Sequence, residues 1–231
     1  MVRAMLIAVL ITIGLQGNAQ TESRITRYNY FFLEAIRQQE MGNLAAAFDL
    51  LNHARDINPK APEVYYEIAG YYVAMQNSKA ARYNFEQAAK LAPDNSTYLE
   101  KLGQFYISQN NYEDALTTYE QLYTSNKTRE DVLQILYQLY GAQNNYKKMI
   151  EMIERMELLS GASEQLSLTK MQIYEQMGDK RKAQAELLRL VQKNPLELNY
   201  RVMLGNWLFQ NNKKKEAYKE SQTVQKEDPD N

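Results

Sequence analysis

No cysteine occurs among the 231 residues, and His53 is the only histidine. Disulfides and thiol chemistry are therefore excluded, and a zinc site or a nucleophile–base pair lacks the second Cys or His it needs. No glycine-rich phosphate loop is present either. Glycine and proline are scarce, with nine and five residues, so little in the chain breaks helices. Charge is balanced, with 27 basic and 28 acidic side chains and a net charge of −1, which gives no global reason to expect nucleic acid as a partner. What is abundant is tyrosine, eighteen in all. Few breakers and many helix formers point to an all-α chain.

The first twenty residues stand apart. Arg3 precedes an apolar run from Ala4 to Leu15, and small residues follow at Gly17 and Ala19. This is the pattern of a secretory signal, residues 1–19, cleaved after Ala19. A retained membrane anchor is the alternative, but a span needs about twenty apolar residues. No cysteine follows the cut, so a lipoprotein anchor is excluded. Gln20 directly after it resembles the start of exported proteins of some Gram-negative bacteria. Residues 20–27 are expected to form a short arm before the repeats.

From Tyr28 onward the chain repeats itself every 34 residues. Pro59, Pro93, Pro195 and Pro229 share one frame, with Lys127 and Gly161 in the slots between. Ala47, Ala81, Ala115, Ala183 and Ala217 share another, with Met149 in the fourth slot. Tyr72, Tyr106, Tyr140 and Tyr174 keep the same step, as do Ala35, Ala69, Gly103 and Gly205. The frame divides residues 28–231 into six units: 28–61, 62–95, 96–129, 130–163, 164–197 and 198–231. Each unit holds two runs of helical periodicity, such as Tyr65, Ile68, Ala69 and Tyr72, then Ala81, Phe85 and Ala88. Gly42, Gly178 and the asparagines at 110, 144 and 212 lie between the runs, where a left-handed residue ends a helix. The small columns should let the two helices of each hairpin approach closely. The fourth unit carries Tyr137 and Met149 in those slots, so its hairpin is expected to splay.

These columns resemble the tetratricopeptide repeat family, whose pattern is an aromatic, Leu-Gly, Tyr, Ala, Phe, Ala and Pro at fixed offsets. The second unit matches it most fully, with Tyr65, Ile68-Ala69, Tyr72, Ala81, Phe85, Ala88 and Pro93. The resemblance implies a right-handed α-α superhelix, a solenoid of six helix-turn-helix repeats whose first helices line a concave face. It also implies a protein or peptide ligand along that face, with no catalysis and no cofactor. Carried over by column, the ligand-facing residues are Phe32, Ile36, Gln39, Tyr66, Gly70, Val73, Glu100, Gln104, Ile107, Gln134, Gln138, Leu168, Gln172, Val202 and Asn206. The carboxylate clamp of chaperone adaptors is absent, because the equivalent columns hold Phe32, Ile36, Glu67, Thr97 and Lys101. Apolar anchors near Phe32 and Tyr66 are expected instead, unless these side chains pack beneath their neighbours.

Several of the tyrosines, Tyr65, Tyr72, Tyr106, Tyr112, Tyr119, Tyr140, Tyr146 and Tyr174, fall in packing columns and read as core. The column of His53 is otherwise Gln87, Gln121, Arg155, Arg189 and Thr223, so this histidine reads as solvated. A second surface feature is a basic edge at the starts of successive second helices: Lys147-Lys148, Lys180-Arg181-Lys182 and Lys213-Lys214-Lys215. Positive charge there opposes the helix dipole. The edge is either an attraction for an acidic partner or anionic membrane surface, or a solvated rim partly neutralised by Asp179 and Glu216.

Pro229-Asp230-Asn231 stands where Pro93-Asp94-Asn95 leads into a further repeat, so the array is expected to continue. Three functions fit this organisation. They are an exported protein-binding scaffold of the periplasm or outer membrane, the ectodomain of a signalling receptor, and an arm that organises an enzyme complex.

Overall fold

The computed structural model describes residues 22–228. Among them are twelve α-helices and no strand, paired in sequence order into six hairpins. The signal segment at 1–19 lies outside the described residues. The first helix, α1, spans 22–40, so the residues expected as an arm are already helical from 22 onward. Arg24 there donates from Nε to the carbonyl of Ile57 at 2.6 Å. The remaining helices are α2 (Leu44–Ile57), α3 (Pro62–Ala74), α4 (Ser78–Leu91), α5 (Ser96–Ser108), α6 (Tyr112–Ser125), α7 (Glu130–Ala142), α8 (Tyr146–Ser160), α9 (Glu164–Gln176), α10 (Lys180–Lys193), α11 (Leu198–Gln210) and α12 (Lys214–Glu227). They form two compact units that divide between Leu122 and Tyr123, within α6.

The turns inside the hairpins follow the repeat. Gly42, Asn110, Asn144, Gly178 and Asn212 all take positive φ, between 54° and 81°. The second hairpin makes the same turn with Gln76 at φ 57°, a residue with no special tolerance for that conformation. The next position caps the second helix. Asn77, Asn145 and Asp179 accept a hydrogen bond from the backbone N–H three residues on, at 3.1–3.3 Å.

The small columns are closed. Ala35, Ala47, Ala69 and Ala81 are fully buried. A Cβ on Gly103 would stand 2.7 Å from the Tyr119 ring, so that glycine is required by its neighbour. In the fourth hairpin Tyr137 and Met149 are half-buried and pack against the core of their unit. The Met149 methyl lies 3.4 Å from where a Cβ of Gly141 would be. Space for the large residue thus comes from Gly141, one turn beyond the expected slot.

The core of the first unit is rich in aromatics. Tyr28, Leu51, Val64, Tyr65 and Ile68 are buried, with Phe32, Phe48, Tyr71 and Tyr72 packed against them. His53 is exposed, as its polar column implies, and meets the edge of the Phe31 ring at 4.2 Å.

The core of the second unit includes Ile153, Leu187, Leu190, Leu204 and Trp207. It also contains a cluster that column reading did not anticipate. Lys170 is only 4% exposed, and its Nζ lies 2.8 Å from Glu157 and 3.0 Å from Glu186. Arg189 reaches the same two carboxylates at 2.6 and 3.1 Å, and donates to Ser167 at 2.6 Å. Burial alone would raise the Glu157 carboxyl, but hydrogen bonds from Arg189 and Lys170 outweigh it and hold the group below its usual range.

Candidate functional site

In the first unit α3 and α5, the first helices of successive hairpins, flank a groove of about 420 Å³. Its walls and floor are Tyr66, Glu67, Gly70 and Val73 from α3, Phe85 from α4, and Lys101, Gln104, Phe105 and Ser108 from α5. The apolar floor follows from the fold: Phe85 and Phe105 are each more than nine-tenths buried, and their rings lie 5.5 Å apart. The Tyr66 ring packs against Phe85 at 6.3 Å and against Tyr98 at 5.2 Å. Val73, by contrast, is 48% exposed beside this floor.

The polar rim is uneven. Glu67 is half-buried and accepts a hydrogen bond from Gln39, and burial pushes its carboxyl up. Gln39 in turn accepts from the Tyr71 hydroxyl at 3.3 Å. Among the described residues no cation pairs with Glu67 and no anion pairs with Lys101. The site therefore offers an apolar floor, amide and hydroxyl groups from Gln104 and Ser108, and two unpaired charges of opposite sign. That is equipment for holding a side chain or a short segment of another molecule.

Four of the residues expected on the ligand face, Tyr66, Gly70, Val73 and Gln104, come together here. Five others of this unit, Phe32, Ile36, Gln39, Glu100 and Ile107, do not line the groove. Phe32 stacks on Tyr28 with ring centroids 5.8 Å apart and packs against the core of the first unit. Ile36 and Glu100 are half-buried outside it. In the second unit Gln134, Gln138, Gln172 and Asn206 are all exposed. Asn206 lines a groove of about 600 Å³ between α11 and α12 together with Val202, also expected on that face, and with Phe209 and Tyr218, 61% and 66% exposed. Glu67 and Lys101, which stand in columns where the carboxylate clamp of chaperone adaptors is missing, also line the groove. Their column, Leu33, Glu67, Lys101, Ile135, Thr169 and Met203, carried the signal that it borders the groove.

The basic residues sit where the repeat placed them, at the starts of α8, α10 and α12, and several are engaged. Lys148 pairs with Glu151 at 3.0 Å and lies over the Tyr140 ring. Lys182 pairs with Asp179 at 3.8 Å and lies over Tyr174. Lys213 donates to Gln184, and Lys214 lies over Phe209. Lys147, Lys180, Arg181 and Lys215 are exposed and make no ion pair among the described residues. Among the described residues there is no cluster of three or more His, Asp or Glu side chains arranged to hold a metal ion.

Residues 66–129 match the tetratricopeptide repeat family. No curated protein sequence matches the chain. Solved structures share its fold. A tetratricopeptide repeat protein from Parabacteroides merdae is 17% identical over 87% of this chain and 80% of its own, with a TM-score of 0.54. MamA of AMB-1 is 20% identical over 70% of this chain and 88% of its own, with a TM-score of 0.53. A chain of the Naa15/Naa10 structure bound to HypK-THB is 18% identical over 94% of this chain but 34% of its own, with a TM-score of 0.63. Helical hairpins at a fixed period, the match over residues 66–129 and these likenesses together make the chain an all-α helical-repeat solenoid of the tetratricopeptide type.

Proposed function

We propose that the chain is a non-catalytic scaffold, exported from the cytoplasm, that binds a protein or peptide on the first-helix face of its N-terminal unit. By doing so it assembles a complex in the periplasm or at the outer membrane. The observation that carries the binding is the groove over Phe85 and Phe105, where Val73 and Gln104 stand exposed around an apolar floor. A structure neighbour of the same fold, Naa15/Naa10 bound to HypK-THB, is itself a protein complex. Export is supported by Arg3, the apolar run Ala4–Leu15 and the small residues at Gly17 and Ala19. The absence of cysteine and the single histidine, solvated and set against Phe31, argue for binding over catalysis.

A photo-crosslinking residue placed in living cells at Val73 or Gln104 is expected to trap a discrete protein partner. The same residue at Tyr83, exposed on a second helix, is expected to trap none. Adducts from Tyr83 but not from the groove would end this proposal. Mass spectrometry of the mature chain should find Gln20 at its N-terminus, and an intact Met1 on a chain recovered from the cytoplasm would remove the export. The free cations Lys147, Lys180, Arg181 and Lys215 are proposed as a secondary contact for an anionic surface. Partner binding that stays unchanged between low and high salt after their neutralisation would dismiss that contact.

A further inference from the structure

We infer that the groove of the N-terminal unit seats a bulky apolar side chain over Gly70 while a lysine or arginine of the same partner peptide meets Glu67. This rests on the binding function proposed above and names what that site takes.

Gly70 lies inside α3 with ordinary helical backbone, so no turn requires it. Packing does not require it either, because a Cβ built there would meet no atom within 4 Å. Gly103, one hairpin on, is the contrast: its Cβ would meet Tyr119 at 2.7 Å. Glycine in a helix interior is less stable than alanine. The other members of the column, Ile36, Gln104, Gln138, Gln172 and Asn206, all carry side chains. Gly70 therefore weakens its helix without helping the fold, and what it leaves is room. That room lies between Tyr66 and Val73, above the buried rings of Phe85 and Phe105. Such a surface favours an apolar or aromatic anchor.

Glu67 decides the charge beside that anchor. It is half-buried next to Tyr66, and its one described partner is the Gln39 amide. A carboxylate partly withdrawn from water without a counter-ion is unfavourable, and a partner's cation would offset that. Lys101 on the opposite wall is exposed, so it makes a weaker demand for a counter-ion.

The test is selection from a displayed library of short random peptides on the full-length mature chain, followed by affinities for the winners. The expected consensus is a large apolar residue next to Lys or Arg. Gly70→Leu should fill the seat and weaken the winners at least about tenfold. Gly70→Ala should raise the melting temperature by about 2 °C, which shows that the glycine does not serve the fold. Glu67→Gln should abolish the preference for a basic neighbour and leave the apolar preference intact. Winners that survive Gly70→Leu, an acidic consensus, or a melting temperature lowered by Gly70→Ala would each overturn the inference while leaving a binding scaffold. Failure to enrich any peptide on the wild-type chain would overturn the binding function along with it.

Discussion

The two units solve one packing problem in different ways. The column that runs along the first helices holds Ile68 and Leu102 in the N-terminal unit, 0% and 6% exposed. In the C-terminal unit it holds Leu136, Lys170 and Leu204, and the lysine is as buried as the leucines around it. Ile68 and Leu102 stabilise by leaving water, each contributing about 1.5–3 kcal/mol. Lys170 must first lose its hydration; two carboxylates then pair it and, together with Ser167, hold Arg189, while Arg189 Nε and Glu186 Oε2 keep no hydrogen-bond partner. The frame accepts either residue, but only the polar solution depends on every member being present. The C-terminal unit should therefore be more easily broken by single substitutions, and by acid.

The largest effect should come from Lys170→Ala. It leaves Glu157 and Glu186 with Arg189 alone and is expected to destabilise the C-terminal unit by about 3–5 kcal/mol. Urea unfolding together with amide exchange in α8–α10 would measure this. The neighbouring repeats supply a repair: Leu204, Val191 and Met152 occupy the equivalent columns. The triple variant Lys170→Leu, Glu157→Val, Glu186→Met should be neutral or gain about 1–4 kcal/mol. A triple variant as unstable as Lys170→Ala would mean that the polar cluster is needed for the fold itself.

Next in size is a contrast between two glycines of the N-terminal unit. Gly103→Ala forces its methyl into Tyr119 and should lose about 1–3 kcal/mol. Gly70→Ala meets nothing and should gain about 0.5–1 kcal/mol. Thermal melts of the two variants are expected to shift in opposite directions. Equal losses would show that the groove wall is closed and that Gly70 carries no ligand.

Acid should separate the units by sign. Glu157 has a folded pKa below the unfolded value of roughly 4.3, so its contribution is present above that value and is lost as pH falls through the folded pKa. Glu67 has a folded pKa above the unfolded value, so its ionised form costs stability at neutral pH, and that cost disappears as pH falls. Protection factors, corrected for intrinsic exchange, should therefore drop in α8–α10 on acidification and rise slightly in α3. Parallel changes in both would contradict the assigned environments.

Much of this was legible in the residues. The 34-residue period places the hairpins, and the left-handed turns at Gly42, Asn110, Asn144, Gly178 and Asn212 fall where the composition demanded them. Burial of Tyr65, Tyr106 and Tyr140 likewise follows from their columns. What was not legible depends on neighbours three-dimensionally close but far apart in a column. Phe32 stands in a ligand-face column, yet it is half-buried, stacked on the ring of Tyr28 four residues earlier and packed against the core. Lys170 shares its column with Ile68, Leu102, Leu136 and Leu204, which marks the position for burial, but nothing in the column names the carboxylates that pair it. The Gly141 space for Met149 depends on which side chain turns toward which helix, and identity alone does not specify that.

The smallest effect concerns the one turn that breaks the rule. Gln76 holds φ 57° where the other hairpins use glycine or asparagine. A side chain there meets the strain that disfavours left-handed backbone, and glycine removes it at some loss of chain entropy. Gln76→Gly should therefore stabilise the N-terminal unit by about 0.5–1 kcal/mol, and Asn144→Ala should weaken the C-terminal unit by a similar amount. Both changes read out in chemical denaturation, and neither touches the groove or the buried cluster. Additivity of Gln76→Gly with Gly70→Ala would show that turn and groove are independent, since both sit on the same hairpin without shared partners. A shortfall would instead tie the Gln76 strain to the α3 wall, so that the groove's geometry is set partly by the turn beside it.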